Sequence, residues 1–176
     1  MMKCFKYQWV KKQHGFTLIE AILGSVLLGI LAISLAAFFS AGAETFSLVK
    51  SRNEAAEKAR YAMQQIYGEL MYLETVDIVN MNVNNFGYMD AANVETHLQM
   101  GNYQGWASVL RNNDVLVPNG QSIAFKYYDA NNIETTNINN LRRIEVTLVV
   151  QAEDNKNVIT LKTSIFPRGF IYTGFQ

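Results

Sequence analysis

Polar and apolar positions divide this chain into four stretches. Residues 16–43 are apolar or small throughout, apart from a single charge, Glu20. From Glu44 the pattern becomes amphipathic. Ala55, Ala59, Ala62, Ile66, Leu70 and Leu73 recur at intervals of three and four, the repeat that lines one face of an α-helix. Glu54, Glu57, Lys58, Arg60, Glu69 and Glu74 fall off that face. Glu54 and Lys58 have the spacing of a favourable i,i+4 pair. No proline occurs before Pro118, so a single helix is predicted from Phe16 to about Val79, ending near Asn80-Met81-Asn82.

Residues 80–140 are rich in asparagine, and 82–87 and 100–105 combine it with glycine, a composition that favours turns. A loop-rich connector is expected there, with Phe86, Tyr88, Tyr103 and Trp106 anchoring its loops to the domain. Alternation then takes over. Val115, Leu116 and Val117 lead through Pro118-Asn119-Gly120 into 121–128, where Ile123, Phe125 and Tyr127 alternate with polar neighbours; this reads as a hairpin. Ile144, Val146, Leu148 and Val150 alternate through 141–152, Asp154-Asn155-Lys156-Asn157 turns the chain, and Ile159, Leu161, Thr163 and Ile165 alternate through 158–166. Three or four strands with short connections make an antiparallel meander. Its apolar face would cover the helix stripe, so the fold class is α+β: a long N-terminal helix packed on a C-terminal antiparallel sheet.

Charge sharpens the first stretch. Lys3, Lys6, Lys11 and Lys12 precede the apolar run, and no acid does, although the whole chain balances 15 Lys+Arg against 15 Asp+Glu. The basic flank orients the run with its N-terminus in the cytoplasm. The rest of the chain is left acid-rich, which argues against nucleic-acid binding. A carboxylate in an apolar helix is costly, about +2.5 to +3.5 kcal/mol for Asp at mid-membrane on insertion scales. Glu20 lies nearer one end but still calls for a partner. A secretory signal peptide ending near Ala41-Gly42-Ala43 is an alternative; the run exceeds the usual apolar core of about 7–15 residues. A plain membrane anchor explains the length but not the acid.

Lys11-Lys12-Gln13-His14-Gly15 followed by Phe16-Thr17-Leu18-Ile19-Glu20 resembles the processing signature of type IV pilins and type II secretion pseudopilins. The resemblance implies cleavage between Gly15 and Phe16 by a membrane prepilin peptidase, and N-methylation of Phe16. It implies that Glu20 pairs with the N-terminal amine of a neighbouring subunit. Glycine suits a protease that grips an extended backbone, since it adds no Cβ bulk. Small residues four apart (Ser25 and Gly29; Ala32, Ala36 and Ser40) would let neighbouring helices approach closely. The strand-turn-strand ending in Phe166-Pro167-Arg168 also resembles minor pilins and J-type minor pseudopilins.

The expected organisation is a leader at 1–15, a transmembrane and filament-core helix at 16–43, and an extracytoplasmic α+β domain at 44–176. The expected function is a minor pilin or pseudopilin, a structural subunit of a type IV pilus or type II secretion-like filament. The alternatives are a competence (DNA-uptake) pseudopilin and a membrane-anchored binding module unrelated to filaments. Prepilin peptidase, other pilins of the filament, the inner-membrane assembly platform and membrane lipid are the implied partners, with no direct nucleic-acid contact. Nothing catalytic is legible: there is no Gly-x-Ser-x-Gly, no phosphate loop and no dinucleotide fingerprint. Cys4, the sole cysteine, lies in the leader, so the mature chain forms no disulfide. His14 and His97 are the only histidines and define no zinc site. Asp129, Asn131, Asn132 and Glu134 cluster oxygens but lack the glycine and spacing of an EF-hand; a polar turn is expected there. No cofactor and no metal are expected.

Overall fold

The computed structural model of the chain describes residues 16–153 and 157–170. The leader residues 1–15, Gly15 included, lie outside them, as does most of the turn expected at Asp154-Asn155-Lys156-Asn157. Helix α1 spans Leu18–Leu70 and opens at Thr17, whose carbonyl accepts from the backbone N–H groups of Glu20 at 3.0 Å and Ala21 at 3.2 Å. The chain divides between Thr45 and Phe46 into two compact units. In the second unit the helix stripe is where its periodicity put it. Ala55, Ala59, Ala62, Ile66 and Leu70 are buried, together with Met63. The i,i+4 pair differs from expectation. Lys50 pairs with Glu54 at 3.8 Å, while Lys58 turns to Glu153 at 3.2 Å. These side chains are largely solvated, and such pairs contribute little.

The helix ends at Leu70, short of Val79. The Met71 carbonyl accepts from the backbone N–H of Arg168 at 2.9 Å, so a strand-end segment takes the bond that another helical turn would use. β-Branched Thr75, Val76, Ile78 and Val79 follow, and such residues lose rotamer freedom in a helix. A short 3₁₀ turn, Thr75–Asp77, is held by reciprocal capping between Glu74 and Asp77. Leu73 stays buried and completes the stripe from this turn.

Among the described residues eight strands follow. β1 (Ile78–Met81), β2 (Asn85–Met89), β3 (Glu95–Tyr103), β4 (Trp106–Arg111) and β5 (Asp114–Pro118) form one antiparallel sheet in that order. β6 (Gly120–Tyr128), β7 (Arg143–Gln151) and β8 (Val158–Ile165) form a second. The meander expected from alternation is the second sheet, registered by Phe125↔Val146 and Leu148↔Leu161. The five-stranded sheet replaces the expected connector. Phe86, Tyr88, Leu98, Val109 and Val117 from it join Ile123, Phe125, Ile144, Val146, Leu148 and the helix stripe in one core. Each such side chain contributes about 1.5–3 kcal/mol on burial.

Two local expectations are corrected. Pro118-Asn119-Gly120 does not close a hairpin: β5 pairs with β4 and β6 with β7, so the chain changes sheets there. Asn119 is left-handed, with φ of 55°. Gly120 lies against the β4 backbone, where a Cβ would sit 3.0 Å from Val109 N. Phe86 and Tyr88 are core residues of β2, but Tyr103 and Trp106 are exposed. They flank the Gln104-Gly105 turn, both at positive φ, the conformation of a two-residue hairpin loop.

Candidate processing and assembly segment

Phe16, Leu18, Ile19, Leu23, Leu27, Leu31, Leu35 and Phe38 are all exposed. Among the described residues one helix, Leu18–Leu70, is long and apolar enough to cross a membrane. Three of its hydroxyls bond back to carbonyls of the preceding turn. Ser25 donates to the Ile22 carbonyl at 2.8 Å, Ser34 to Ile30 at 3.0 Å and Thr45 to Ala41 at 2.9 Å. Beyond their chain neighbours and the helix's own backbone, no atom lies within 4 Å of where a Cβ would stand on Gly24, Gly29 or Gly42.

Glu20 is exposed and sits in the first turn of α1. That turn carries unsatisfied N–H groups and the positive end of the helix dipole. A carboxylate there is favoured by about 0.3–1 kcal/mol, which offsets part of its cost in an apolar run. Phe16 lies one residue before the first bonded carbonyl, so Phe16 and Glu20 bracket the helix start.

In the second unit, a charged cluster that periodicity did not reveal joins α1 to the five-stranded sheet. Arg111, the last residue of β4, places Nε 3.1 Å from Glu69 Oε1 on α1, with Nη2 3.6 Å from Asp90 Oδ2 after β2. The Tyr88 hydroxyl donates to Glu69 Oε2. Burial, reinforced by the Glu69 hydrogen bond, pushes the Tyr88 phenol well above its ordinary range. Asp90 is held below the usual carboxylate range by the Val94 and Ala92 N–H groups, with Arg111 assisting. Burial works against the Arg111 charge, but Tyr88 and Glu69 outweigh it and raise its pKa. These residues line an open cleft of about 620 Å³ that also takes in Tyr72, Glu74 and Asp77. Each charge in the cluster has a partner, so it fastens α1 to the five-stranded sheet.

The 129–134 segment is a polar turn. Asp129 Oδ1 accepts from the N–H groups of Asn131 at 2.8 Å and Ile133 at 2.9 Å, while Glu134 pairs with Lys126 at 2.7 Å. His97 is half-buried in β3, with Nε2 3.0 Å from Glu95 Oε1 and Nδ1 3.2 Å from Asn85 Oδ1. Among the described residues no group of three or more His, Cys, Asp or Glu side chains is placed to hold a metal.

Comparison with known proteins bears on the first segment. Residues 10–36 match the family model described as the prokaryotic N-terminal methylation motif. The chain carries that motif at the start of a long apolar helix, and the match supports the type IV pilin and pseudopilin family. The helix on antiparallel sheet is a pilin-like α+β architecture. No curated protein matches the chain, and no solved structure does.

Proposed function

We propose that the chain is a minor pilin or pseudopilin, made as a precursor and built into a filament after proteolysis. The observation that carries this reading is the methylation motif over residues 10–36, spanning Gly15, Phe16 and Glu20. Prepilin peptidase hydrolyses the Gly15–Phe16 bond, removing the four leader lysines and freeing an amine on Phe16, which is then methylated. Residues 1–15 are the leader, 16–43 cross the inner membrane with the N-terminus cytoplasmic, and 44–176 form the domain outside.

Glu20 then acts in assembly. In a bundle of apolar helices a carboxylate is tolerated only when paired, and the amine of Phe16 on the next subunit is the partner that cleavage creates. A misregistered subunit would strand both charges, so Glu20 sets stagger more than it adds net stability. The subunit is structural and catalyses nothing. Its partners are the peptidase, other pilins of the same filament and the inner-membrane assembly platform. A competence pseudopilin shares this processing; the acid-rich domain argues against direct DNA contact.

Mass analysis of the N-terminus of membrane-extracted protein tests the reading. A chain that begins at methylated Phe16 supports it. A start after Ala43 identifies a signal peptide, and an intact Met1 in cells with active peptidase identifies a plain anchor. Either outcome overturns the proposal.

A further inference from the structure

The five-stranded sheet displays aromatic rings on the face turned away from the core. Tyr103 opposes Trp106, and Ser108 opposes Pro118. Directly opposed residues of a ladder share a face, and residues two apart in a strand do too. Tyr103, Trp106, Ser108 and Pro118 therefore stand together, while Val109 and Val117 fill the core from the other side. The Gln104-Gly105 turn, with φ of 51° and 86°, sets the two rings opposite each other. Phe86 and Tyr88 of the same sheet are buried, whereas Tyr103 and Trp106 face solvent. Trp106 stands between two open depressions. The larger, of about 540 Å³, takes in Tyr103, Gln104, Val115, Pro118 and Glu153. The smaller, of about 260 Å³, takes in Gln121 and Gln151. Trp106 and Asn119 line both, so an extended ligand lying across the indole reaches into each.

The lining chemistry selects among ligands. Among the described residues no Lys, Arg or His lines either depression, so a phosphate, a carboxylate or a nucleic acid finds no cation there. Glu153 is the one acid among them, and it already faces Lys58 at 3.2 Å, so a cationic ligand meets a competitor for that charge. An extended peptide finds no regular edge to join, because β5 is irregular against β4 and ends in Pro118. What remains is exposed aromatic surface beside the amides of Gln104, Asn119, Gln121 and Gln151. The face of an aromatic ring is electronegative and attracts C–H groups. Each amide both donates and accepts, as a sugar hydroxyl does. A pyranose ring, with an apolar C–H face and a rim of hydroxyls, is complementary to that combination.

We propose that this groove binds a neutral, unbranched glycan. One sugar ring stacks on Trp106, and its neighbours along the glycan lie in the two depressions, where the amides bond their hydroxyls. Aromatic walls with a few placed polar groups are the usual make-up of a small-ligand site. The groove lies wholly after Phe46, so binding does not depend on cleavage at Gly15 or on filament assembly.

Trp9 and Trp106 are the only tryptophans of the chain, so Trp9→Phe leaves the indole of the groove as the sole emitter. Full-length Trp9→Phe in lipid nanodiscs, free of sugar detergents, is titrated with chitohexaose, cellohexaose and maltohexaose. At least one should shift the emission to the blue, saturably and equally at low and high salt, because no ion pair forms. A response to chitohexaose alone identifies an acetamido-sugar chain, and a response to either of the others a plain glucan. By calorimetry Trp106→Ala should weaken that binding about tenfold, the scale of one lost stacking contact. Trp106→Phe keeps a flat ring and should lose less, while Tyr61→Ala, which removes an exposed ring from α1, should lose nothing. The proposal is overturned if none of the three oligosaccharides binds, or if choline, dextran sulfate or a polyproline peptide binds in their place. It is equally overturned if Trp106→Ala, folded by circular dichroism, binds as its parent does.

Discussion

Arg111 at the end of β4 lies 3.1 Å from Glu69 on α1, joining residues far apart in the chain through the only arginine–carboxylate contact described between the helix and the five-stranded sheet. Arg111→Ala removes the cation that faces both Glu69 and Asp90, and leaves Glu69 with Tyr88 alone. Both side chains keep about a quarter of their surface in water, which screens the loss. A destabilisation of about 1–2 kcal/mol is expected, read as a lower urea midpoint in the strand circular-dichroism signal. Arg111→Lys should recover only part, because a lysine cannot reach two carboxylates with a planar fork.

Alkali should loosen the domain through two tyrosines. Burial raises the pKa of Tyr88, helped by Glu69, and burial alone raises that of Tyr127, whose hydroxyl donates to the Asn82 carbonyl at 2.8 Å. A raised folded-state pKa means that the folded chain holds its protons longer than the unfolded chain. The associated stability is complete below the unfolded value of about 10 and is lost as pH rises above it. Each tyrosine contributes a slope of up to about 1.4 kcal/mol per pH unit in that window. Urea midpoints measured from pH 8 to 11 should fall above pH 10, and Tyr88→Phe should flatten the fall.

Ile66 is fully buried in the helix stripe, whereas its neighbour Tyr67 is exposed. Ile66→Asp places an unpaired carboxylate in the core and should cost several kcal/mol, enough to unfold a domain of ordinary stability. Tyr67→Asp should change the midpoint by no more than about 0.5 kcal/mol. Similar midpoints for the two variants would show that the stripe does not pack as described.

If Gly15 is the residue before the scissile bond, Gly15→Val should accumulate full-length precursor in the membrane, because a branched Cβ crowds an extended backbone in a protease cleft. Immunoblots of membranes from peptidase-positive cells distinguish precursor from mature chain by the missing leader. Normal processing of Gly15→Val would move the cleavage elsewhere.

Glu20→Ala separates processing from assembly. The reading expects the variant to be cleaved normally, since the acid lies beyond the bond, and to be depleted at least about tenfold from sheared filaments, the scale of one lost charge pair of about 1.4 kcal/mol. Wild-type incorporation would remove Glu20 from the register mechanism while leaving processing untouched.

The parts of the fold with a clean period were readable in the chain. The helix stripe from Ala55 to Leu73 and the alternation in β7 and β8 each declare a buried face, because one side chain in two or in 3.6 must be apolar. The five-stranded sheet hides its period. β3 reads Glu-Thr-His-Leu-Gln-Met-Gly-Asn-Tyr, with Leu98 alone among its apolar residues fully buried. In β2, Gly87 faces His97 across the ladder, where a Cβ would stand 2.9 Å from the imidazole; a glycine that suggested a turn is there to admit a side chain. The asparagines do mark turns. Asn93, Asn112, Asn119 and Asn132 all adopt positive φ, but they separate strands instead of replacing them. Arg111 carried no periodic signal at all, because its role depends on where β4 ends relative to α1. In the candidate site, the methylation motif and the apolar run were legible because both are local.

The bond from Arg168 to Met71 has a kinetic meaning. It closes a loop that contains every strand of the domain, and Gly169 beside it sits so tightly that a Cβ would stand 2.6 Å from the Leu73 carbonyl. Contacts of such long sequence separation form late, since the entropy of closing the loop is lost before the contact returns anything. The end of α1 therefore cannot be sealed until Arg168, which follows all eight described strands, is available. Under the proposed topology, with the N-terminus held in the cytoplasm, the domain crosses the membrane strand by strand behind its anchor, so a subunit whose residue 168 has not yet crossed carries an open helix end and presents an unfinished surface to any neighbour that would recruit it.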